Sequence, residues 1–229
     1  MPTSRAPFVD VVAAVREHTS LLLGLTIGFT DDDWAQPTAL PGWTRSHVAA
    51  HLVDGARRLI AVIESLDAGR PVALHVDDDE ERRSVEVLAL ASGLDLQISL
   101  DTSASELQEM LPALEGDTTP VVTRSGYTIP AWQIPLARLG EVLLHHMDLD
   151  GRATVVDLAP DTAVAVLAFQ VERYAERPNR RSVRLVADEG YTADVDGVDD
   201  QVEVRGPAAD LILWLARGVS SPRLIRSWF

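Results

Sequence analysis

The chain has 229 residues and 46% hydrophobic content, enough for one large domain or for a medium domain followed by a small one. A formal net charge of −15 disfavours nucleic acid as a partner, because a binding face must offer cations that displace counterions from phosphates. Cysteine is absent, which excludes disulfides, thiolate zinc knuckles and a protein thiol nucleophile, so any sulfur chemistry needs an external thiol. Apolar runs such as Leu21 to Leu25 fall far short of the ~20 residues that cross a bilayer. The N-terminus also lacks a signal-peptide pattern, and the expectation is a soluble, cytoplasmic protein with no membrane partner.

Residues 8 to 28 place Val11, Val12, Val15, Leu22 and Leu25 at helical spacing, and this first helix is expected to stop near Phe29, at the acidic cluster Asp31, Asp32 and Asp33. In TALPGWT, Pro41 and Gly42 form a turn and Thr44 an N-cap, which predicts a second helix to about Leu66 carrying His47 and His51. Gly69, Arg70 and Pro71 break the chain. From about residue 79 to 115 the pattern is helical again, as one long helix interrupted near Gly93 or as two, with Ser103 and Glu106 at capping-box spacing. Val121 to Ile129 alternates around Ser125 and Gly126, which suits a small hairpin or an extended connector. Pro130 then opens a further helix, the fourth of a bundle, expected to reach Asp150.

After Gly151 the character changes. A helix is expected from about Asp161 to Glu176, short alternating pieces at 182–187, 191–195 and 201–205, and a last helix from Pro207 to Arg217. The fold class that follows is mainly α with an α+β appendage: a four-helix domain over residues 1–152 and a small α+β domain over 153–229.

On the fourth helix, Arg138, Glu141, His145 and Asp148 follow one another at offsets of three, four and three and share one face. Leu136, Leu139, Val142, Leu143 and Met147 cover much of the remainder, the pattern of a buried helix. Buried ionisable groups must be paired, hydrogen-bonded or bound to metal. Glu141 and His145, at i and i+4, can reach one divalent ion, and an imidazole with a carboxylate suits zinc. A third donor must come from another helix. His51 is the first candidate, and His47 could replace it or serve as an outer or substrate-binding group. Three protein donors leave one coordination position open, as in catalytic zinc sites. The bland alternative is a solvated helix face without metal. His18, His75 and His146 have no matching partners and are expected at the surface or in packing, with Trp34, Trp43 and Trp132 in the core.

The stretches LPGWTRSHVAAHL and ARLGEVLLHHMDLD resemble the two signatures of the mycothiol-dependent maleylpyruvate isomerase family, and RGPAADLILWLARG is similar to a segment near that family's C-terminus. All basic residues are Arg and none is Lys, which fits a genome rich in G and C and an actinobacterial source. The resemblance implies a DinB-like four-helix bundle followed by a small α+β domain. It implies zinc, or another divalent metal, on His51, Glu141 and His145, with mycothiol as the cofactor thiol. It implies isomerisation of maleylpyruvate to fumarylpyruvate, with Arg217 and Arg138 as the catalytic candidates that would pair with the substrate's carboxylates or the developing enolate. Arg138 matches an arginine that recurs before the family's glutamate, and the alternative for both is a surface or interhelical salt bridge. Asp148 could orient a ligand or cap a helix end. Two other functions remain open on the same scaffold: a mycothiol S-transferase acting on another small electrophile, and a non-catalytic module that binds a metal or small ligand.

Overall fold

The computed structural model describes residues 6–70, 78–122, 127–151 and 157–228. The chain divides into two compact units, one of Val15–Arg152 and the other of Ala153–Phe229 with Met1–Ala14. Their architecture is mainly α with an α+β appendage. No helix among the described residues is long and apolar enough to cross a membrane.

The first unit holds most of α1 (Phe8–Thr26), then α2 (Asp31–Trp34), α3 (Arg45–Asp67), α4 (Asp78–Leu88), α5 (Gly93–Met110) and α6 (Ile134–Asp150). Between α5 and α6, β1 (Pro120–Val122) pairs antiparallel with β2 (Thr128–Pro130), Val121 opposite Ile129. The expected turn at Ser125 and Gly126 lies outside the described residues.

Several helix ends differ from expectation for local reasons. The acidic cluster after α1 does more than stop it. Asp33 N–H donates to Thr30 Oγ1 at 3.2 Å and Thr30 N–H donates back to Asp33 Oδ2 at 2.9 Å, a reciprocal cap that starts α2. The 79–115 region takes the second of its two expected forms, two helices, because Ser92 caps α5 and Gly93 fits against Trp34, leaving no room for a Cβ beside Trp34 Cδ1. Ser103 and Glu106 sit inside α5 instead of capping it, and the Ser103 hydroxyl donates to the Leu100 carbonyl at 3.4 Å. Pro130 ends β2, and a 3-10 turn over Ala131–Gln133 delays α6 to Ile134. Gly151 closes α6 in the left-handed region at φ 67, its N–H donating to the Met147 carbonyl at 3.1 Å.

The core of this unit gathers Leu22 of α1, Trp34 of α2, Val48 and Leu52 of α3, Leu96 and Leu100 of α5, and Val142 and Leu149 of α6. Each fully buried leucine contributes roughly 1.5–3 kcal/mol of burial. Helix α3 is central, packing against α4, α5 and α6. Its small residues Ala49, Ala50 and Ala56 are wholly buried, which lets those neighbours approach closely.

The second unit contains α7 (Pro160–Ala175), β3 (Val183–Ala187), β4 (Thr192–Val195), β5 (Val202–Gly206), α8 (Ala208–Arg217) and β6 (Ile225–Trp228). The sheet order is β4-β3-β5-β6, with β3 and β5 parallel and the outer pairs antiparallel. Val183, Leu185 and Ala187 alternate inward, and α7 packs with α8 against the sheet. Strand β6 has no counterpart among the expected elements. All four of its residues are exposed on an edge, so no apolar alternation marks it.

Candidate metal centre

Helix α3 supplies His51, and α6 supplies Glu141 and His145 one turn apart. Each side chain presents one donor atom, and the three atoms lie within 4.8 Å of one another. His51 Nε2 is 3.2 Å from Glu141 Oε1, and the two imidazoles meet edge to face with centroids 4.9 Å apart. Two imidazole nitrogens and one carboxylate oxygen form a mixed set that fits a borderline divalent ion such as zinc better than the all-oxygen shells of calcium or magnesium.

The other ring nitrogen of each histidine faces a carboxylate. His145 Nδ1 lies 2.9 Å from Asp148 Oδ2, and both side chains are buried. An Nδ1–H donated to Asp148 leaves the lone pair on Nε2, the tautomer that an ion requires. His51 Nδ1 lies 3.5 Å from Glu81 Oε1 on α4, too long for a good hydrogen bond but close enough for electrostatic orientation. Burial pushes the His145 imidazole below the usual histidine range; the bond to Asp148 opposes that shift and the neighbouring His51 adds to it. The neutral form therefore prevails near pH 7, and metals bind that form.

Arg138, only 3% exposed, donates from Nη1 to Glu141 Oε2 at 2.8 Å and to the Leu52 carbonyl at 3.2 Å. Its guanidinium thus offsets the charge of Glu141 and ties α6 to the α3 backbone one residue after His51. Trp43, expected in the core, is partly buried; it packs on the core and also meets the His51 ring in an edge-type contact at 5.3 Å between centroids. The aromatic wall narrows solvent access to that imidazole.

His47 is outside the cluster. Its Nδ1 lies 2.7 Å from the Thr44 hydroxyl in the N-terminal cap of α3, and its Nε2 is 3.4 Å from Glu86 Oε2. His18 is buried and His146 half-buried, and burial lowers both pKa values. His75 lies outside the described residues. Trp34 is in the core, and Trp132 is half-buried. Arg217 is the last residue of α8, in the other unit, and is half-buried.

Sequence reasoning did not find Glu81. It belongs to an acidic run that reads as a solvated face, and only the packing of α4 against α3 turns it toward His51.

No curated protein matches the chain significantly. A crystal structure of the mycothiol-dependent maleylpyruvate isomerase is similar, with a TM-score of 0.83 at 20% identity over 97% of this chain and 93% of that one. A crystal structure of its histidine-to-alanine mutant is similar to the same degree. At that identity the likeness concerns the fold. Residues 15–150, more than half of the sequence, match the family model described as the mycothiol maleylpyruvate isomerase N-terminal domain, and the chain belongs to that family.

Proposed function

We propose that this chain is a thiol-dependent isomerase that converts maleylpyruvate to fumarylpyruvate, holding zinc on His51, Glu141 and His145 and using mycothiol as cofactor. The observation that carries the reading is the convergence of three donors, two of them imidazoles whose far nitrogens face carboxylates. When bound, zinc supplies the Lewis acidity that makes a thiolate available near pH 7, and mycothiol supplies the sulfur that a cysteine-free chain lacks. Reversible addition of a thiolate to an electron-poor alkene removes the π bond, and rotation followed by elimination gives the trans product.

The chain's own residues do the rest. Asp148 holds the His145 tautomer, Glu81 orients His51, and Arg138 fixes Glu141 while offsetting its charge. Arg138 is engaged on both sides, so we assign it to positioning the donors. On the family resemblance, we assign the Arg217 guanidinium to a substrate carboxylate or the developing enolate, where a planar fork fits. In this reading residues 1–152 form the metal-binding domain and 153–229 the second domain.

The test is turnover of maleylpyruvate by zinc-loaded protein with and without mycothiol, alongside His51→Ala. Loss of isomerisation when either the thiol or the histidine is removed supports the proposal, and turnover indifferent to both overturns it. A stable thiol adduct of another electrophile, with maleylpyruvate inert, replaces the isomerase with an S-transferase.

A further inference from the structure

A second constellation lies wholly within the C-terminal unit. An open cleft of about 410 Å³ is bounded by Tyr174 and Arg177 at the end of α7, Arg181 before β3, Trp214 on α8, and Arg226 and Trp228 on β6. That volume lies within the range of small-molecule sites. Val202 and Leu215, both buried, also line it and give it an apolar floor. Among the described residues no Asp or Glu lines the cleft, although acidic residues outnumber basic ones 35 to 20 in the chain. Three guanidinium groups around one opening repel one another and concentrate a positive potential in an otherwise acidic molecule.

The walls are fixed by contacts within the unit. The Tyr174 hydroxyl donates to the Arg181 carbonyl at 3.2 Å and accepts from its N–H at 3.0 Å, which pins the chain before β3 to the end of α7. Arg181 Nε donates to Asp199 Oδ2 at 2.6 Å, and its guanidinium lies 5.3 Å from the centre of the Trp228 ring. Arg177 lies over Tyr174 at 5.5 Å, and Arg226 donates to the Ser220 hydroxyl. Among the described residues, neither Arg177 nor Arg226 has a carboxylate partner. Trp228 stands 62% exposed on the edge strand, a large apolar surface left to water beside those two guanidinium groups.

We propose that this cleft binds a flat organic anion, an aromatic carboxylate, with the carboxylate taken by Arg177 and Arg226 and the ring laid against the indoles of Trp214 and Trp228. Guanidinium forks match a planar carboxylate in geometry as well as charge. Indole faces and an apolar floor favour a flat ring over a saturated one or a compact inorganic anion. The cleft shares no lining residue with the proposed metal centre, and nothing in its chemistry requires the proposed isomerase activity.

The test uses the full chain with ¹⁵N-labelled indoles, titrated with benzoate, cyclohexanecarboxylate and inorganic phosphate and followed by NMR. The expected result is saturable movement of the Trp214 and Trp228 signals by benzoate in roughly the millimolar range, as suits so few ligand atoms. Cyclohexanecarboxylate and phosphate should bind at least about tenfold more weakly, and Arg177→Ala or Arg226→Ala should each weaken benzoate about tenfold. Both arginines are exposed, so the fold should survive, with circular dichroism as control. A His51→Ala background should leave the titration unchanged, separating this site from carboxylates that bind a metal. The proposal is overturned by an absence of saturation, by equal affinity for the three anions, by indifference to the arginine substitutions, or by shifts confined to Trp43.

Discussion

Around His51, Glu141 and His145 the polar groups are largely withdrawn from water and each is braced by a second side chain, whereas the cleft beside β6 holds its arginines in the open, and among the described residues only Arg181 of them is paired to a carboxylate. The first arrangement is intolerant: remove one member and the remaining buried groups carry an unmet desolvation cost. In the second, water replaces whatever a substitution removes. Damage at the proposed metal centre should therefore spread into stability and ion affinity together, and damage at the cleft should stay local.

The largest effect expected from this contrast is that of Arg138→Met. It removes the Arg138 partner of Glu141 Oε2 and the second hydrogen bond of the Leu52 carbonyl, and should cost about 2–3 kcal/mol in urea unfolding, against less than ~0.5 kcal/mol for Arg226→Ala. Similar costs at the two positions would break the comparison. Next is His145→Ala, which should weaken zinc more than about 100-fold in a chelator competition, since even outer partners of metal ligands carry 10- to 100-fold. Asp148→Asn should fall within that smaller range, and Glu81→Gln below it, because its contact with His51 is 3.5 Å rather than 2.9 Å. Reversal of that order would mean that distance does not rank the two braces.

The smallest effect concerns pH in the C-terminal unit. The Ser182 N–H and the Arg181 side chain hold the Asp199 carboxyl below its ordinary range. A depressed folded-state pKa contributes stability that is complete above the unfolded value and lost as pH falls through the folded one. Asp199→Asn should thus lower stability near neutrality and flatten the unfolding curve below about pH 4, where the wild-type Asp begins to protonate in the unfolded chain. An unchanged acid limb would assign that dependence to other carboxylates.

The two regions also differ in how much of them the one-dimensional pattern reveals. Glu141 and His145 sit one helical turn apart on a helix apolar on most sides, so their spacing points to a shared ligand, and His51 lies on a helix whose cap at Thr44 is legible. Glu81 is not legible, because its role depends on how α4 lies on α3. Trp34 and Gly93 are distant in sequence, and only the packing explains why the 79–115 region divides where it does. The arginine cleft is assembled from a helix end, a loop and an edge strand without periodicity, so no window of sequence contains it. Composition obscured it further, since arginine is spread through the whole chain.

One consequence follows from the guanidinium of Arg138, which grips the α3 backbone beside one donor and the carboxylate of another. A protein strut thus joins the two helices independently of any ion between the proposed donors. Treatment with a chelator should strip the ion while leaving helical circular dichroism intact, and refilling should need no refolding step. Such a scaffold would exchange its metal with the surroundings as an open socket does, keeping its shape between occupants.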